Sequence, residues 1–119
     1  MATSSRPKAT QPEDISRLLV ERVRALDLDG IVELYEPEAV VAYPPGRVTV
    51  GHEAIRALYA ALLERRPQFQ TEEPLPTLQV GDLALTSTRP TDDAGARAQV
   101  ARRQPDGSWL RVLDRPEFR

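Results

Sequence analysis

The sequence predicts an α+β fold, and two observations carry the prediction. Apolar residues recur at helical spacing in the first half of the chain, and alternating strand patterns fill the second half, with Pro67 dividing them. Helices segregated from a run of hairpin-linked strands make an α+β domain rather than a βαβ repeat.

Asp14 can cap a first helix, in which Ile15, Leu18, Leu19, Val23 and Leu26 share one face. "DLDG" at 27–30 breaks that helix and starts a short second one, with Ile31, Val32, Leu34 and Tyr35 as its apolar side and Pro37 as its end. A strand over roughly 39–43 then runs into Pro44, Pro45 and Gly46, and "RVTV" reads as a short strand. Gly51 opens a third helix whose apolar face is Ile55, Leu58, Tyr59, Leu62 and Leu63. Glu53 in its first turn and Arg65 and Arg66 in its last suit the helix dipole.

Beyond Pro67 the pattern is extended. "QFQTEEPLPTLQV" is proline-broken and reads as a bent or edge segment. "LALTSTR", "ARAQVARRQ" and "SWLRVLDR" are strands, joined by the "PTDDAG" loop at 90–95 and a tight "PDG" turn. Residues 1–13 are polar and read as a disordered tail, leaving 14–119 as one domain.

The chain has 119 residues, no cysteine, one histidine and a formal net charge of -2. Thiolate chemistry and cysteine-ligated metals are thereby excluded, and nothing in the charge balance favours nucleic acid or an anionic membrane. One histidine with scattered carboxylates offers no convergent metal site. No apolar run approaches the roughly 18 residues that span a bilayer, so a cytoplasmic protein is the default expectation. No phosphate-cradling loop or nucleophile motif is present, and no cofactor is expected.

Three stretches, "DLDGIVELYEPEAVV", "GHEAIRALY" and "RRQPDGSWLRVLD", occur in an order that resembles the nuclear transport factor 2-like superfamily. Within it the chain looks closest to the SnoaL-like and ketosteroid-isomerase-like branch, over roughly residues 14–115. The resemblance implies a cone-shaped curved antiparallel sheet wrapped around three N-terminal helices and enclosing an apolar pocket. It also implies cofactor-free chemistry of the isomerase, cyclase or hydratase type on a hydrophobic carbonyl or polyketide-like substrate. The alternative is a non-catalytic module that binds a hydrophobic ligand or assembles as a dimer. Aligned on these motifs, the isomerase base falls on Tyr43, the helix tyrosine on Leu19 and the strand aspartate on Gln99. None of those three catalytic residues is kept. Tyr35 and Tyr59 do match aromatic positions beside the isomerase oxyanion hole.

Strand alternation, phased on Gln99 and Asp114 as inward residues, adds Ala101, Arg103, Leu110 and Val112 to the inner face, with Leu83, Leu85, Ser87 and Arg89 on the neighbouring strand. Asp114 and Tyr43 are the candidate catalytic residues, Asp114 to move a proton and Tyr43 to polarise a carbonyl. The competing readings are that Asp114 pairs with a nearby arginine and that Tyr43 fills or lines the pocket. Leu19, Tyr35, Tyr59, Ser87, Gln99 and Val112 are the candidate ligand-binding residues. His52, in the first turn of the third helix, is expected to be exposed. The same phase turns Val100, Trp109, Arg111 and Leu113 outward, where they predict a homodimer interface centred on Trp109. Burial of Trp109 under the tail or the 90–95 loop is the other possibility. The expected partners are therefore a small hydrophobic molecule and a second copy of the chain.

Overall fold

The structure, a computed structural model, describes residues 6–89 and 97–116. The elements are α1 (Asp14–Arg24), α2 (Leu28–Val32), β1 (Tyr35–Val41), β2 (Thr49–Val50), α3 (Gly51–Glu64), β3 (Leu78–Val80), β4 (Leu83–Thr88), β5 (Arg97–Arg103) and β6 (Trp109–Arg115). The "PTDDAG" loop predicted at 90–95 lies outside the described residues.

α1 begins at Asp14 rather than being capped by it; the Asp14 carboxylate accepts from the Gln11 N–H at 3.1 Å in the preceding turn. Ile15, Leu18, Leu19 and Val23 are buried on one face. Leu26 is 44 % exposed, because the chain has already left the helix there with a positive φ of 56°. Asp27 caps α2 by accepting from the Gly30 N–H at 3.1 Å. Gly30 is required by close approach: a Cβ there would collide with the Asp27 carboxylate and with Arg6 Nε. On α3, Ile55 and Tyr59 are fully buried, and Leu58, Leu62 and Leu63 pack partly buried against the same core.

The six strands form one sheet in the order β2-β1-β6-β5-β4-β3. It is mixed, which corrects the expectation of a wholly antiparallel sheet, because β1 and β6 run parallel. Tyr35 opens β1 instead of extending α2, and Pro37 lies inside the strand. Proline is tolerated there because the β1–β6 register is irregular between Tyr35 and Val40, where no ladder donor is needed.

Two strand faces differ from the simple alternation. On β4, Ala84, Thr86 and Thr88 are the buried residues, while Leu83 and Leu85 are exposed and Ser87 is only half-buried. On β6, Val100 pairs with Leu113 but Ala101 pairs with Arg111, so Val112 is an extra, bulged residue. The bulge resets the inward phase, and the buried residues of β6 are Trp109, Arg111 and Asp114. The expectation that Trp109 and Arg111 face outward with Leu113 is thus corrected: both point inward, and Leu110 and Val112 are the half-buried neighbours.

The segment from Arg6 to Glu13, placed by the sequence reading within a disordered tail, lies against the domain. Arg6 bonds Asp27 at 2.7 Å and Glu33 at 2.7 Å. Ala9 is 1 % exposed, and its carbonyl accepts from the Trp109 N–H at 3.0 Å. The Arg103 guanidinium lies over the Trp109 ring, 5.3 Å from its centroid.

Candidate functional site

The polar centre of the fold is a chain of side chains drawn from four elements. Tyr35, the first residue of β1, donates its hydroxyl to Asp114 Oδ2 at 2.6 Å. With that proton committed, Tyr59 on α3 donates to the Tyr35 hydroxyl oxygen at 2.8 Å. Arg111, three residues before Asp114 across the bulge, reaches the same Oδ2 through Nη1 at 3.3 Å. Its Nη2 donates to Ser16 Oγ on α1 at 2.8 Å. Tyr35 and Tyr59 are fully buried, with ring centroids 6.1 Å apart, and the Arg111 and Asp114 side chains are 3 % and 0 % exposed. Arg111 Nε and Asp114 Oδ1 have no hydrogen-bond partner among the described residues.

The electrostatics follow from burial. Desolvation pushes the Tyr35 hydroxyl well above the usual phenol range, and the neighbouring Asp114 charge pushes it further. Tyr59 is raised for the same two reasons. Burial opposes the charge on Arg111, and the attraction of Asp114 and the two phenols outweighs it, holding the guanidinium above its ordinary value. Raised phenols bind their protons more tightly in the folded state. The stability they contribute is complete below the unfolded phenol pKa of about 10 and is lost as pH rises through the folded values. Urea midpoints are therefore expected to fall steeply above about pH 10, and Tyr59→Phe to shed about one proton from that slope. A midpoint unchanged up to about pH 11 would contradict the burial of these phenols.

Beside this cluster lies a cleft of about 560 Å³ between α1, the C-terminal end of α3 with the segment after it, and the inner face of the sheet. Leu19, Val20, Leu62 and Phe69 line it with apolar surface; Gln99 and Arg111 form its buried polar part. Tyr43 lines it too, and also borders a second cavity of about 600 Å³ lined by Pro45 and Gly46.

The predicted site residues therefore separate. Leu19, Tyr43 and Gln99 meet in the cleft. Tyr35, Tyr59 and Asp114 meet one another, but none of them is among the residues lining the cleft. Asp114 combines two expectations, facing inward and pairing with an arginine. Ser87 and Val112 belong to neither group, since Ser87 sits opposite Ala98 on the outer side of the ladder and Val112 is the bulge. His52 is half-buried rather than exposed, its Nε2–H donating to the Tyr35 carbonyl at 2.6 Å. Arg111 is the residue that sequence reasoning assigned to the wrong face. The one available signal was an arginine three residues before an inward aspartate, a spacing that needs a bulge to bring both to one face. Among the described residues no group of three His, Asp or Glu converges as a metal site.

A profile of the SnoaL-like domain matches residues 16–116. The chain belongs to the SnoaL-like domain family. Its superfamily is the nuclear transport factor 2-like one, as the sequence motifs imply. No curated protein matches this SnoaL-like domain significantly. Solved structures do. A candidate calcium/calmodulin-dependent protein kinase type II association domain from Thiobacillus denitrificans is 18 % identical, with a TM-score of 0.71 over 92 % of this chain and 98 % of that one. A ketosteroid isomerase-like protein from Erwinia carotovora atroseptica is also 18 % identical, with a TM-score of 0.67 over 87 % and 90 %. A candidate dehydratase of the NTF2-like family from Streptomyces avermitilis is 16 % identical, with a TM-score of 0.65 over 88 % and 96 %. At such identities the likeness is one of fold, and the chemistry of this SnoaL-like domain rests on its own residues.

Proposed function

We propose that this domain binds a small, largely apolar molecule in the cleft beside α1 and assembles as a homodimer through the outer face of its sheet. The observation that carries the binding reading is the separation of the cleft from the carboxylate. Leu19, Leu62, Phe69 and Gln99 line the cleft, whereas Asp114 is sealed behind Arg111 and committed to Tyr35. A proton shuttle must reach its substrate directly or through one water. Asp114 in this position acts as the counter-ion of a buried guanidinium, so binding is favoured over acid–base turnover. Solved neighbours described as ketosteroid isomerase-like and as a candidate dehydratase support the isomerase, cyclase or hydratase reading as the alternative, with Tyr43 in the cleft lining as its carbonyl-polarising group.

The dimer reading rests on strand register. Val50, Val40, Leu113, Val100, Leu85 and Leu78 are paired in succession across all six strands, which places them in one outer row. At about 4.8 Å per strand the row is roughly 24 Å wide. Four of its members, Val50, Leu113, Leu85 and Leu78, are 43–65 % exposed. An apolar row of this extent fits a second copy of the same face, since a two-fold axis brings a surface onto itself.

Native mass spectrometry of the purified protein tests both parts. The expected result is a dimer carrying a small molecule that is recovered chemically unchanged, and a Leu113→Glu variant that runs as a monomer. A ligand-free monomer would overturn both parts, and turnover of an enone or polyketide-like compound would restore the enzymatic reading.

A further inference from the structure

The cleft has a polarity of its own that the binding reading does not use. Its buried polar part offers donors. Arg111 is 2 % exposed, has Nη1 on Asp114 and Nη2 on Ser16, and keeps Nε without a partner among the described residues. Gln99, 6 % exposed, accepts from Thr86 Oγ1 at 3.1 Å through its carbonyl oxygen, which leaves the amide nitrogen as its remaining group. Arg65 stands exposed at the rim.

The charges agree with the donors. Among the described residues, Arg65, Arg97 and Arg111 line the cleft against one carboxylate, Glu72. Glu72 is already bound by Arg97 at 2.9 Å and by Thr88 at 2.8 Å. Asp114 balances Arg111 from behind, away from the cleft. With Arg97 paired to Glu72 and Arg111 to Asp114, the described lining adds one further cation, the exposed Arg65, to the donors of Arg111 and Gln99, and it is apolar along Leu19, Val20, Leu62 and Phe69.

From this arrangement we infer that the ligand is an amphipathic carboxylate, its anionic end set toward Arg111 and Gln99 and its hydrocarbon along the apolar wall. A carboxylate supplies only acceptors, and a charge-assisted bond to a buried arginine is stronger than one to a neutral carbonyl. The 560 Å³ of the cleft falls within the ordinary range for small-molecule sites. The inference deepens the binding reading above and rests on it.

Titration calorimetry with decanoate, decan-1-ol and decanamide, on the full chain at neutral pH, separates the outcomes. Decanoate is expected to bind at least about tenfold more tightly than the alcohol or the amide, a difference set by the charge-assisted bonds. Gln99→Leu and Arg65→Gln are each expected to weaken decanoate more than decan-1-ol. Neither substitution breaks the buried ion pair, so both variants keep the fold, which circular dichroism checks. Equal affinities for the three compounds would overturn the inference and leave the cleft reading standing. A decanoate preference untouched by both substitutions would also overturn it, by placing the anion elsewhere. Saturable binding of none of the three would remove the cleft reading itself.

Discussion

Asp114→Ala is expected to cost about 3–5 kcal/mol of folding stability, the loss typical when one member of a buried ion pair is removed. The substitution leaves Arg111, whose side chain is 3 % exposed, as an uncompensated charge, and it takes away the acceptor of the Tyr35 hydroxyl. Urea denaturation measures the loss directly. The companion variant, Asp114→Leu with Arg111→Met, is expected to recover most of it, because paired apolar replacements remove both desolvation penalties together. A loss below about 1 kcal/mol for Asp114→Ala would mean that the pair is solvated, as surface pairs are. The result also bears on function. A proton shuttle can often be removed without loss of stability, whereas a counter-ion locked into a five-residue network cannot.

Trp109→Ala is expected to destabilise the domain by about 3–5 kcal/mol, the usual cost of truncating a large buried aromatic. Trp109 is 3 % exposed, belongs to the core cluster, donates its N–H to the Ala9 carbonyl and lies under the Arg103 guanidinium. Denaturation midpoints report this. Were the side chain at a dimer interface instead, the same substitution would shift the monomer–dimer equilibrium in sedimentation and leave the unfolding of the monomer nearly unchanged. The two measurements together decide between the placements.

How far the sequence carries depends on the kind of signal. The helical face of α3, Ile55 to Leu63, was legible because five apolar residues repeat one helical period. The "PDG" turn was legible because Gly107 adopts a positive φ of 88° that few other residues tolerate. The parallel β1–β6 pairing was not, since periodicity within a strand says nothing about its partner's direction. The inner face of β6 was lost at a single residue: Val112 has no chemistry that marks it as a bulge, and one extra residue inverts the reading of everything before it. β4 misled for another reason. Its leucines invite an inward assignment, yet the inner face holds Ala84, Thr86 and Thr88, and the leucines join the outer apolar row. The candidate site inherited these errors. Gln99 and Leu19 were found on correct faces, while Arg111, which binds the cluster to the cleft, was placed on the opposite one.

The sheet order also bears on how the protein is made. β6 follows every other described element in the chain, yet it sits in the interior of the sheet, between β1 and β5. On a ribosome, the β2–β1 ribbon and the β5–β4–β3 ribbon would both emerge before the strand that joins them. Until β6 arrives, Tyr35 has no Asp114 to bond and the Ala9 carbonyl has no Trp109 N–H to accept from. Both contacts close loops of most of the chain's length, the kind of distant pairing that slows folding. The arrival of β6 thus completes the sheet, the ion pair and the polar part of the cleft at once.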